Sequence, residues 1–167
     1  MKQYANEIFR HPGSVEVKWA FIFMGISFIW MLGEKVFGLH DLYIDKHFQY
    51  TQFFLMPVIL TYVLALRDKR RAECSMMMTY KEGLVAGVQI SALITILTPF
   101  IQLINLELIS PGFFEKAIEY NVSVGRFSQA EAERYFSLKN FIIQSMTGVT
   151  VVGNSASIVT AYFTKSA

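Results

Sequence analysis

The sequence predicts an all-α, polytopic membrane protein with four transmembrane helices and a partly helical external connection between the third and fourth. Three observations predict it. The 167 residues are 53% hydrophobic, with a mean hydropathy of +0.38. Charged residues make up only 17%, against roughly a quarter in average soluble domains. The apolar residues also gather into four segments separated by charged stretches, each near the roughly 20 residues a helix needs to cross hydrocarbon. The formal net charge of +2 gives no argument for nucleic-acid binding, and the length suggests one domain, 1–167.

The first span covers residues 17–37, with Trp19 and Trp30 as interfacial aromatics. Glu7 and Glu16 precede it and no small-x-small site comes after it, so an uncleaved anchor is expected rather than a secretory signal. Glu34 and Lys35 near its end are expected to reach the headgroup zone along their own stems. The functional alternative is a pairing of Glu34 with a group on another helix. The first connection, GLHDLYIDKHFQY, holds His40, Asp41, Asp45 and His47, all metal-capable. Their spacing matches no established ligand pattern and Lys46 sits among them, so an interfacial loop without metal is expected.

The second span covers residues 48–66 and contains Pro57. The turn after it, RDKRRAECSMMMTYKEG, is a topological anchor. Arg67, Lys69, Arg70 and Arg71 are candidates to contact anionic lipid, each contributing about 1 kcal/mol near the surface. Met76, Met77 and Met78 are expected to dip into the interface. Cys74, the one cysteine, excludes an intrachain disulfide framework, and an incidental reduced thiol is expected. The third span covers residues 83–106, with Pro99 inside and Glu82 facing the positive end of its dipole. In the long connection to residue 140, Ser110 with Pro111 has the pattern of an N-cap. Ser128 with Glu131 forms a capping box, from which a helix can run continuously into the fourth span, residues 141–163. Asn121 and Gly125 mark the break between the two short helices.

In hydrocarbon every polar group wants an internal partner, so polar and small residues report which faces meet. Gly83, Gly87 and Ser91 lie four apart on span three, and Gly153 and Ser157 repeat that step on span four. These are the candidate helix-packing positions, for internal packing or for dimerisation. Gln89, Asn105, Gln144 and Asn154 are candidates for interhelical hydrogen bonds, and Gln89, Thr95, Gln144, Thr150 and Asn154 are the alternative lining of a polar path. No Asp, Glu, Lys, Arg or His lies between Phe141 and Phe163, which weakens a proton relay.

Orientation is read from Lys and Arg in the flanks. The tail before span one, the second connection and the last residues hold nine, among them Lys2, Arg10 and Lys165; the other two connections hold six. Both termini are expected to be cytoplasmic. No nucleophile elbow, zinc-protease helix, P-loop or dinucleotide fingerprint occurs, so no enzyme and no cofactor are expected.

The order of four spans, the charged turn Arg67–Arg71 leading to Thr79-Tyr80, Gly83 and Gly87, and the external Ser110-Pro111-Gly112-Phe113-Phe114-Glu115-Lys116 carry a resemblance over nearly the whole chain. With the Ser128–Glu131 helix start and the small-residue last span, the chain resembles the domain of unknown function 4199 family, small bacterial inner-membrane proteins. That resemblance implies fold and location and supplies no catalytic residues. The functional expectation is a non-enzymatic module in the lipid bilayer that assembles with itself or a membrane partner. The alternative is a small transporter or channel subunit.

Overall fold

The computed structural model describes residues 13–72 and 76–165, so Lys2, Glu7, Arg10 and Cys74 lie outside the described residues. Every regular element among the described residues is helical. In chain order they are α1 (Ser14–Val36), α2 (Ile44–Thr51) running through a 3-10 turn into α3 (Leu55–Ala72), α4 (Tyr80–Ile104) ending in a π turn at Asn105–Ile109, α5 (Phe113–Ser123), α6 (Gln129–Tyr135) and α7 (Leu138–Thr164). Four stretches, of 23, 29, 30 and 27 residues, are long and apolar enough to cross a membrane. The second of them starts at Ile44 and ends at Ala72, so the basic run closes a helix instead of forming a loop.

The caps differ in how far they agree with the sequence. Ser128 accepts from the Glu131 backbone N–H while the Glu131 carboxylate accepts from Ser128, a complete capping box. Thr79 and Glu82 exchange the same bonds at the start of α4. Gly125, at φ +70, turns the chain between α5 and α6. Two expectations are corrected. α5 starts at Phe113 with Gly112 as its N-cap, because the Ser110 hydroxyl is engaged by His40 instead. And α6 does not continue into α7: it ends at Tyr135, with Phe136 at ψ +48, and α7 starts at Leu138.

Contacts divide the chain into two units. The first is drawn from Met1–Phe23, Met56–Ile96 and Gly148–Ala167. Its core holds Tyr62, Leu66, Met78, Ala86, Ile90 and Ala161. The second takes Met24–Leu55 and Leu97–Thr147, and buries Met31, Leu39, Leu106, Phe113 and Ala117. Large apolar side chains such as Phe21, Ile29, Ile96, Phe100 and Phe163 are exposed, as lipid-facing positions must be when the solvent is hydrocarbon.

Candidate functional site

In the first unit, small residues on α4 and α7 meet. A Cβ placed on Gly87 would overlap the Ser157 side chain, and one on Gly83 would come within 3.2 Å of the Ala161 Cβ. A Cβ on Gly153 would come within 3.2 Å of the Ser91 Cβ. Gly83, Gly87, Ser91, Gly153 and Ser157 therefore hold two backbones close within one chain. Tyr62 and Ser91 share a hydrogen bond of 2.7 Å, and Thr95 and Thr150 share one of 2.9 Å. Gln144 is exposed and Gln89 half-buried; the Asn154 Oδ1 is buried without a hydrogen-bond partner.

The basic run is partly spent internally. Lys69 is 2.8 Å from Glu16, a carboxylate with no exposure, and Arg70 donates to the Thr164 carbonyl at 3.1 Å. Asp68 pairs with Lys18 and accepts from the Trp19 indole at 2.8 Å. Arg67 and Arg71 are exposed. Of the four residues proposed for anionic lipid, these two keep their side chains turned to the surroundings.

The densest chemistry lies in the second unit, and the end of α1 builds it. Leu39 N–H bonds the Glu34 carbonyl and Gly38 N–H bonds that of Lys35, with Gly38 at φ +76. This is the Schellman pattern, in which glycine takes the left-handed conformation that a Cβ disfavours. It reverses the chain so that His40, 2% exposed, falls back on Glu34, 7% exposed. α2 then brings His47 and Thr51, one turn apart on one face, to the same carboxylate. The geometry is compact: His40 Nε2 is 3.5 Å and His47 Nε2 3.9 Å from Glu34 Oε2. Thr51 donates to Glu34 Oε1, and Ser110 shares a 2.6 Å hydrogen bond with His40 Nδ1. Glu34 does not extend to a headgroup zone; burial and these partners hold it inward.

Ser110 gets there through the π turn, where its N–H bonds the Asn105 carbonyl at 2.7 Å. One additional residue in a turn rotates the remainder of the chain by about 100° around the helix axis. Phe113, just beyond, packs its ring 5.2 Å from His40 and 5.1 Å from His47. Nearby, Asp41 bridges Lys116 and Lys35. The Lys116 ammonium, then that of Lys35, holds the Asp41 carboxyl below its ordinary value. One donor atom each from Glu34, His40 and His47 lies within 4.8 Å of the others, and these are donor types that first-row transition metals take. From the sequence the two histidines fall in an interfacial loop, and Glu34 either reaches the headgroup zone or pairs with another helix. The contact from His47 on α2 matches the second, and the signals for the cluster are Gly38 four residues after Glu34 and the His47/Thr51 helical spacing.

No curated protein and no solved structure matches the chain. The family model described as "Protein of unknown function (DUF4199)" matches residues 18–166, nearly the whole length, and the chain belongs to that family.

Proposed function

We propose that this multi-pass membrane protein is a non-enzymatic module of the bacterial inner membrane that assembles with a second copy of itself through the exposed face of α7. The carrying observation is that α7 is the least covered spanning helix, with 17% of its apolar window buried against 39% in the stretch Tyr80–Ile109. Gln144, Thr147, Gly148, Val151 and Ser155 are all exposed on it. A primary amide facing hydrocarbon seeks a hydrogen bond that lipid cannot give. The same Gln144 on a second copy can both donate and accept, for about 0.6 kcal/mol with some such bonds reaching 1–2. Nothing stands within 4 Å of a Cβ built on Gly148, so a partner helix can approach there.

The small-residue rows expected to serve assembly face each other inside one chain, which moves the assembly surface to the other face of α7. A polar path lined by Gln89, Thr95, Gln144, Thr150 and Asn154 needs those groups on one surface. Thr95 and Thr150 instead bond each other, while Gln144 is exposed.

Crosslinking in native membranes tests assembly, with Cys74→Ala as background. Gln144→Cys and Gly148→Cys should trap a dimer efficiently, and Ile29→Cys, 69% exposed on α1, should not. A strictly monomeric chain at all concentrations, or equal trapping at Ile29, defeats the reading.

A further inference from the structure

We propose that Glu34, His40 and His47 form a binding site for a first-row divalent transition metal ion of the Zn2+ type, with one coordination position left open. Two imidazoles and one carboxylate select this class: imidazole suits Zn2+, Fe2+, Ni2+ and Cu2+, whereas Mg2+ and Ca2+ take oxygen donors. Zn2+ with bonds of about 2.0–2.1 Å in tetrahedral geometry holds its donors about 3.3 Å apart. The two separations to Glu34 Oε2, 3.5 and 3.9 Å, exceed this by about 0.2 and 0.6 Å, and all three donor atoms lie within 4.8 Å of one another, so small side-chain adjustments bring them onto one ion.

The surroundings are arranged as a metal site requires. The outer atom of each buried ligand is held, His40 Nδ1 by Ser110 and Glu34 Oε1 by Thr51, while the inner atoms converge. With Nδ1–H donating to Ser110, the His40 Nε2 lone pair points to the centre. Such second partners fix tautomer and ring orientation, and here one of them stands at the end of a π turn, a feature frequent at functional sites. Phe113, itself packed on Phe114 and Phe141, walls both imidazoles with apolar surface. Three protein ligands leave a fourth position for water or another small donor.

The test uses the full chain, purified in detergent and stripped with EDTA, then titrated calorimetrically with Zn2+ and followed by the visible bands of tetrahedral Co2+. One ion per chain is expected. His40→Ala, His47→Ala and Glu34→Gln should each weaken binding at least tenfold and abolish the Co2+ bands. Ser110→Ala should weaken it 10–100-fold with helix content unchanged. Asp45→Asn, exposed and outside the cluster, should bind as the native chain does. Where His40→Ala fails to fold, His47→Asn repeats the test at the more exposed ligand, 22% accessible. Absence of stoichiometric binding, or native affinity in both histidine variants, overturns the site.

Discussion

At the scale of the residue, the sharpest contrasts are between positions that look alike in sequence. Gly33 and Gly87 are both glycines within spanning helices, yet a Cβ at Gly33 meets nothing within 4 Å while one at Gly87 overlaps Ser157. Gly87→Ala should therefore cost about 1–3 kcal/mol by overpacking, and Gly33→Ala should be neutral or slightly stabilising, measured as thermal unfolding in detergent. Lys69 and Arg67 differ in the same way, two residues apart in one basic run. Lys69 balances the fully buried Glu16, and removing one partner of a buried pair leaves the other charge uncompensated, typically for about 3–5 kcal/mol. Lys69→Ala should lower the unfolding midpoint well below that of Arg67→Ala, and equal midpoints would show the ion pair to be idle. The four-residue step of the small side chains was readable because helix geometry fixes which residues share a face. The role of Lys69 was not, since Glu16 lies 53 positions away and only the packing of α1 with α3 joins them.

At the scale of the element, ends proved more informative than middles. Apolar length located all four spanning helices, and Ser128 with Glu131 located α6, because both signals are local. Ser110 with Pro111 carried an equally good local signal for a cap and failed, since a histidine 70 residues earlier competes for the same hydroxyl. The cluster of Glu34, His40 and His47 was illegible for the related reason that a Schellman turn and a π turn, neither marked by apolar periodicity, bring its parts together. Gly38 is the test of that construction. Its φ of +76 makes Gly38→Ala cost roughly 1–2 kcal/mol, and hydrogen exchange should show faster opening at the end of α1 than in Gly33→Ala. The capping box of α6 gives a pH signature. The Ser128 hydroxyl, then its backbone N–H, holds the Glu131 carboxyl below its ordinary value. A depressed folded value means the cap contributes fully above the unfolded carboxylate range, near about 4.3, and fades as pH falls through the lower folded value. Protection factors over Gln129–Tyr135 should hold from pH 6 to about 4.3 and decline below it, and Glu131→Ala should flatten that dependence.

At the scale of the whole molecule, four helical stretches are long and apolar enough to cross a membrane, and the Lys and Arg distribution predicts that both ends lie on the cytoplasmic side. The internal pairings refine what carries the bias. Lys18 is matched by Asp68 and Lys69 by Glu16, but orientation is set by basic residues counted during insertion, before any fold exists, and acidic neighbours contribute little to it. All nine basic residues on the proposed inner side therefore count, including those later paired. A reporter fluorescent only in the cytoplasm should accordingly glow at either terminus, and a phosphatase active only outside should work when inserted at Gly125, in the exposed turn between α5 and α6. Replacing Lys69 and Lys18 by glutamine lowers the inner count from nine to seven against six outside. If counting governs, that pair should produce a mixed orientation to the same degree as Arg67 with Arg71, although the first pair is engaged in the fold and the second is exposed. If orientation instead depended on free charge in the folded protein, only the Arg67/Arg71 variant would mix. A phosphatase active at the C-terminus of the native chain would refute the cytoplasmic assignment outright.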